Sequence, residues 1–126
     1  MDATFDPRLS ERLDAEEEIR IETRAREGAP VHRTIVWVVV DGGQAYVRSV
    51  RGRAGRWYRE LTAHPQGAVE VRGERIPVRA VHVEAPEIIE RVSEAYRRKY
   101  GHSPYLGAIL RPEVLPTTLR LEPAGE

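Results

Sequence analysis

The stretch Arg33–Val40, "RTIVWVVV", restricts the fold of this chain more than any other. After the arginine it is β-branched or aromatic throughout, which is the composition of a strand. Residues on both of its faces are apolar, so water reaches neither face. In a small domain this places one face inside a barrel and the other against a helix or a second subunit. The apolar run Ile35–Val40 is far too short to span a bilayer. "DGGQ" follows at Asp41–Gln44, with two glycines free to take the positive φ of a tight hairpin. "AYVRSV", Ala45–Val50, then returns as the partner strand. Alternation predicts that Arg48 and Val50 point one way and Val47 and Ser49 the other.

The remaining segments fit around this hairpin. In "EIRIETR", Ile19, Ile21 and Thr23 share one face, and Arg20, Glu22 and Arg24 the other, which predicts a half-buried strand. "AVEV" at 68–71 and "RIPVRAVHVE" at 75–84 are two more strands joined by a turn centred on Gly73. Pro77 lacks an N–H and is expected at an edge or bulge. "TTLRLE" at 117–122 is a last strand. A first helix is predicted from Pro7 to about Glu17, capped by Asp6. A short one runs from Arg56 to Ala63 and is stopped by Pro65. The longest starts at Pro86 and closes at Gly101, with an apolar stripe of Ile88, Ile89, Val92, Ala95, Tyr96 and Tyr100. "PYLGAIL" at 104–110 adds one further turn. The expected class is mainly β (α+β): a small, partly open barrel of about six antiparallel strands, a long helix near the C-terminus and short helices. One domain is expected over 1–126, with 1–17 as a helical extension and 123–126 as a tail.

Charge is unevenly placed. Lys plus Arg and Asp plus Glu both number 20, for zero formal net charge. Yet Arg48–Leu61 contains Arg48, Arg51, Arg53, Arg56 and Arg59 together with Gly52 and Gly55. The chain turns through these glycines and starts a helix near Arg56. A helix start exposes unpaired N–H groups with a partial positive charge. Arginines around such a start form a phosphate pocket. No Gly-Lys-Ser/Thr follows, so this is not a Walker loop. The competing reading is that these arginines are solvated or pair with the abundant glutamates. Trp57 and Tyr58 follow the bend, either to cover a planar ring or to pack the helix onto the barrel. Trp37 reads as core, with a cofactor wall or dimer contact as the alternative. Arg33 and Thr34 stand where they could reach a phosphate or a pyrimidine edge, or Arg33 only caps a strand end.

Several classes are set aside. Zero net charge argues against a nucleic-acid partner, and arginines interleaved with Trp57 and Tyr58 give single-strand binding only weak support. There is no cysteine, hence no disulfide, thiolate nucleophile or cysteine metal site. His32, His64, His82 and His102 show no ligand spacing, so no metal is expected. Ser49 and Ser93 lack a nucleophile-elbow context. The acidic N-terminus has no apolar signal core, which points to the cytoplasm and to no membrane partner. Glu16, Glu17 and Glu18 read as a solvated face.

"IETRAREGAPVHRTIVWVVVDGGQAYVRSV" followed by "GRWYRELTAHPQGAVEVRG" resembles the flavin- and deazaflavin-binding split β-barrels, the relatives of pyridoxamine-phosphate oxidase, and most closely their short uncharacterised bacterial members. The resemblance covers about Glu18 to Gly101. It implies a homodimer with cofactor in grooves between subunits. It also implies a phosphate held by basic and hydroxyl residues on two adjacent strands and the bend after them. Those positions here are Arg33, Thr34, Arg48, Ser49, Arg51 and Arg56, with Trp57 following. The deazaflavin branch carries a Gly-Arg-Lys-Ser-Gly-like loop, whereas this chain has Ala25-Arg26-Glu27-Gly28. That favours FMN, or no flavin at all, over a deazaflavin coenzyme. The implied function is an FMN-dependent oxidoreductase acting on a small organic substrate. The alternative is a non-enzymatic module holding deazaflavin, haem or another phosphorylated ligand. No catalytic residue is assigned, and Tyr58 is the one candidate to test.

Overall fold

The computed structural model describes residues 4–124. Its elements run α1 (Pro7–Ala15), β1 (Ile19–Thr23), β2 (His32–Val36), β3 (Val38–Asp41), β4 (Gln44–Val47), α2 (Arg56–Ala63), β5 (Gln66–Val71), β6 (Glu74–His82), α3 (Pro86–Tyr100), α4 (Leu106–Ile109) and β7 (Leu119–Pro123). Short 3-10 turns at Gly52–Ala54 and Leu115–Thr117 lead into α2 and β7. The strands form one antiparallel sheet in the order β2-β1-β5-β6-β7-β4-β3. The two edge strands, β2 and β3, are consecutive in the chain and separated only by Trp37. A sheet whose two edges meet at one residue has to curl on itself, and the result is a half-barrel.

This explains why the sheet has seven strands where about six were expected. "RTIVWVVV" is not one strand. It bends at Trp37, pairs with β1 before the bend (Ile19↔Val36, Ile21↔Thr34) and with β4 after it (Val38↔Val47, Val40↔Ala45). Composition reports strand preference but not a change of partner.

Both faces of β3 are covered, as the apolar pattern requires. Val38 faces the barrel interior with Ile21, Val47, Val69, Val71, Leu119 and Leu121. Val39 faces a second apolar layer with Tyr46, Val92, Tyr96, Tyr100 and Ile109, where α3 and α4 lie on the sheet. α1 and the residue run before it join the first layer: Leu13 of the helix and Phe5 ahead of it are buried there, each contributing roughly 1.5–3 kcal/mol. Asp6 accepts the Arg8 N–H at 2.8 Å and Pro7 opens the helix. Lys99 Nζ donates to Leu13 O and Val38 O, tying the end of α3 to α1 and β3.

The Asp41–Gln44 hairpin turns through Gly42 and Gly43, both at positive φ. Gly101 ends α3 as expected, with a right-handed φ of −61°; a β-carbon there would stand 2.6 Å from Arg97 O. Pro77 lies on β6, between β5 and β7 in the sheet. The edge is nonetheless local, because β7 ends at Pro123 opposite Val78, and Ala124 N–H donates to Pro77 O at 3.1 Å. Pro123 and Ala124 are therefore tied to the sheet, and of the expected tail 125–126 lies outside the described residues.

Candidate functional site

A cavity of about 730 Å³ opens where β2 diverges from the end of β4. Small-molecule sites span roughly 300–1,000 Å³. One wall is Thr34, Ile35, Val36 and Trp37, with Glu18 beside them. The opposite side is the bend Arg48–Arg51 and the start of α2 at Gly55, Arg56 and Trp57. Tyr105, Ala108 and Ile109, from the α4 region, complete it.

The bend is built by Ser49 and two glycines. Ser49 Oγ donates to Gly52 O at 2.7 Å, and Ser49 N–H donates to Thr117 Oγ1 at 3.0 Å. Gly52 takes a φ of +68°, which favours glycine. The expected alternation breaks here: β4 stops at Val47, Arg48 and Ser49 are both buried, and Val50 is exposed. α2 then begins without a side-chain cap, so its first amides are left unpaired by the helix itself. Gly55, Arg56 and Trp57 put that helix start on the cavity wall.

The seven residues nominated from the sequence separate into three roles. Arg51 and Arg56 line the cavity, are exposed, and make no salt bridge or side-chain hydrogen bond among the described residues. The acid one turn along α2, Glu60, takes its hydrogen bonds elsewhere, from Thr23 Oγ1 at 2.8 Å and with His32 Nδ1 at 3.0 Å, and Arg56 acts on it only through space. Burial raises the Glu60 pKa, but the hydrogen bonds from Thr23 and His32, together with the charges of His32 and Arg56, leave a net lowering. Thr34, Ser49 and Trp57 also line the cavity, Ser49 and Trp57 as largely buried walls.

Arg48 has a different role. It lines the cavity but is only 2% exposed. Its Nε donates to Thr118 Oγ1 (2.8 Å), Nη1 to Ser93 Oγ (3.0 Å) and Ile109 O (3.4 Å), and Nη2 to Ile89 O (2.8 Å). Its guanidinium lies over the Tyr96 ring. All four acceptors are neutral, and burial lowers its pKa from the ordinary arginine value. Arg48 is thus a clasp joining α3, α4 and the start of β7 to the barrel, and it leaves a positive charge beneath the cavity.

Arg33 is not part of the cavity lining. It projects from the outer face of β2 and pairs with Glu22 at 3.3 Å. Tyr58 also faces away: its hydroxyl is 3.1 Å from His82 Nε2, and burial raises its pKa. Trp37 packs as the core reading expected and is also within reach of the cavity. It stacks on Tyr100 with ring centroids 4.0 Å apart and also lines the cavity.

Sequence reasoning missed Glu18, Ile35, Val50 and Tyr105. Ile35, Val50 and Tyr105 are the exposed large hydrophobic residues among those described, at 57%, 46% and 73%, and all three border this cavity. Exposed apolar residues gathered at one concave site mark a binding surface. The available signal was Ile35, on the less buried side of β2; Tyr105 comes from a remote segment and left none.

Solved structures with the same fold include HutZ, the heme storage protein of Vibrio cholerae (15% identity, TM-score 0.65, covering 98% of this chain and 92% of that one). An F420-H2 dependent reductase, FDR-A, matches at 17% identity and TM-score 0.65, covering 85% of this chain and 95% of that one. A protein from Listeria innocua, named as a candidate pyridoxamine 5'-phosphate oxidase, matches at 16% and 0.62, covering 94% and 91%. These likenesses establish the split-barrel fold. No curated protein matches the chain at a significant level. No helix among the described residues is long and apolar enough to cross a membrane, and no cluster of three metal-ligating side chains is present among them. One family model covers residues 10–121, so the chain belongs to DUF2255, a family described as uncharacterized proteins conserved in bacteria.

Proposed function

We propose that this protein binds FMN in the cavity between β2, α2 and α4 and acts as a flavin-dependent oxidoreductase on a small organic substrate. The observation that carries the reading is Arg51 and Arg56, two guanidiniums with no salt bridge among the described residues, at an uncapped helix start inside a cavity. In a chain whose Arg12, Arg20, Arg33, Arg72, Arg91 and Arg120 are all matched to carboxylates, that is a local excess of positive charge. Arg48 adds charge from below without offering its full guanidinium to a ligand. A phosphate monoester satisfies this end, through charge-assisted hydrogen bonds of about 1.5–3 kcal/mol each. Trp37, Trp57, Ile35, Val50 and Tyr105 supply apolar wall for a planar ring.

The residues present fit FMN better than the alternatives. None of the four histidines lines the cavity, so a haem would lack the usual imidazole ligand there. A deazaflavin coenzyme is disfavoured by Glu27, in the loop where that branch carries a lysine. FMN, when bound, supplies the hydride chemistry of its ring. The protein's part is to hold the phosphate at Arg51, Arg56 and the α2 amides and to shield the ring with aromatic walls. The exposed trio Ile35, Val50 and Tyr105 supports a homodimer in which a second copy closes the mouth.

The test is fluorescence titration of FMN with the purified chain. Micromolar quenching is expected, weakened at least tenfold by Arg51→Glu or Arg56→Glu. Titrations unchanged by both reversals would remove the anion site from this cavity.

A further inference from the structure

The acidic run Glu16-Glu17-Glu18 has no part in the phosphate reading, yet one of its members borders the cavity. Glu16 pairs with Arg72 at 2.5 Å and Glu17 with His102 at 3.6 Å. Glu18 is exposed and takes no hydrogen bond or ion pair among the described residues. It precedes β1, whose first residue pairs with Val36, so Glu18 falls opposite Trp37 at the bend between β2 and β3. It lines the cavity there and also the shallower groove on its other side. In that groove the remaining charges are already matched, Arg20 with Glu70 at 3.7 Å and Arg72 with Glu16.

One cavity therefore holds Glu18 at the β1–β2 wall and Arg51 and Arg56 at the α2 wall, with neither arginine within ion-pair distance of the carboxylate. Opposite charges that share a cavity without touching are separated by space a ligand can bridge. A phosphate satisfies the arginine end only. The carboxylate accepts hydrogen bonds and donates none, so what lies against it has to carry an N–H or O–H.

Building on the cavity reading above, we infer that Glu18 is a specificity-determining residue that selects phosphate monoesters whose planar ring carries an N–H donor at the end away from the phosphate. The ligand class is a phosphorylated heterocycle with an imide or amine edge. Rings of the same size with that edge blocked are rejected, because they would leave a carboxylate desolvated and unpaired.

The experiment compares FMN with its N3-methyl analogue by fluorescence titration against the full chain, in wild type and in Glu18→Ala, with thermal melts to confirm folding. The wild type is expected to prefer FMN about tenfold, a modest effect for a hydrogen bond to a charged group. Glu18→Ala is expected to bring the two ligands to equal affinity. Discrimination that survives Glu18→Ala, or a wild type that binds both ligands equally, overturns the role of Glu18 and leaves the FMN reading standing. A wild type that binds neither overturns both.

Discussion

The hydroxyl of Ser49 occupies the space a β-carbon on Gly55 would need, since such a carbon would stand 2.5 Å from Ser49 Oγ. Gly55 has φ −62° and ψ 135°, a conformation open to any residue. It is therefore contact, not backbone freedom, that requires glycine. Gly55→Ala is expected to cost about 1–3 kcal/mol, as overpacking of a tight site does. Urea unfolding checks this. The same substitution in a Ser49→Ala background should cost less, because the opposing oxygen is gone.

Arg48 holds four neutral acceptors on three segments. Replacing it with methionine leaves Thr118, Ser93 and two carbonyls without their donor, at a cost of roughly 3 kcal/mol or more. Arg48→Lys should recover little, since a single ammonium cannot reach acceptors arranged around a planar fork. Arg51→Gln and Arg56→Gln, both exposed, should stay within about 0.5 kcal/mol of wild type. Chemical denaturation of the four variants separates the clasp from the anion-facing residues.

Glu22 provides a pH signature. Hydrogen bonds from Arg75, at 2.8 Å from its Nη2, hold the Glu22 pKa below the usual carboxylate range, with burial opposing and Arg33 assisting. A carboxylate whose folded pKa is depressed contributes stability above its unfolded pKa and loses it as pH falls through the folded one. Glu22→Gln should therefore be clearly less stable than wild type at pH 7, and the gap should narrow toward pH 3. Urea midpoints at the two pH values measure it; a constant gap would refute the assignment.

Tyr100 joins α3 to the bend between β2 and β3. Its hydroxyl donates to Glu17 O at 2.7 Å, and its ring stacks on Trp37 at an interplanar angle of 3°. Tyr100→Phe keeps the stack and should cost about 1 kcal/mol. Tyr100→Leu removes the stack and should also abolish the near-ultraviolet circular dichroism of Trp37.

What could be read from the sequence was whatever local chemistry decides. Gly42 and Gly43 announced their hairpin, Pro7 and Pro86 opened their helices, and the arginines near Gly52 and Gly55 marked one wall of the cavity. What could not be read depends on residues remote in the chain. The bend at Trp37 arises because β2 and β3 take different partners, which no run of valines reveals. Arg33 and Arg51 look alike in sequence, and only the register that places Glu22 beside Arg33 separates them. Arg48 looked like a ligand-binding arginine because its acceptors, Ile89, Ser93, Ile109 and Thr118, come from the far end of the chain.

The corner at Trp37 has a mechanical consequence. Both rims of the curled sheet start from that one residue, so spreading the mouth amounts to rotating β2 about the indole, with Tyr100 braced behind it. A guest seated against β2 would press on this corner, so Trp37 emission is expected to register its arrival.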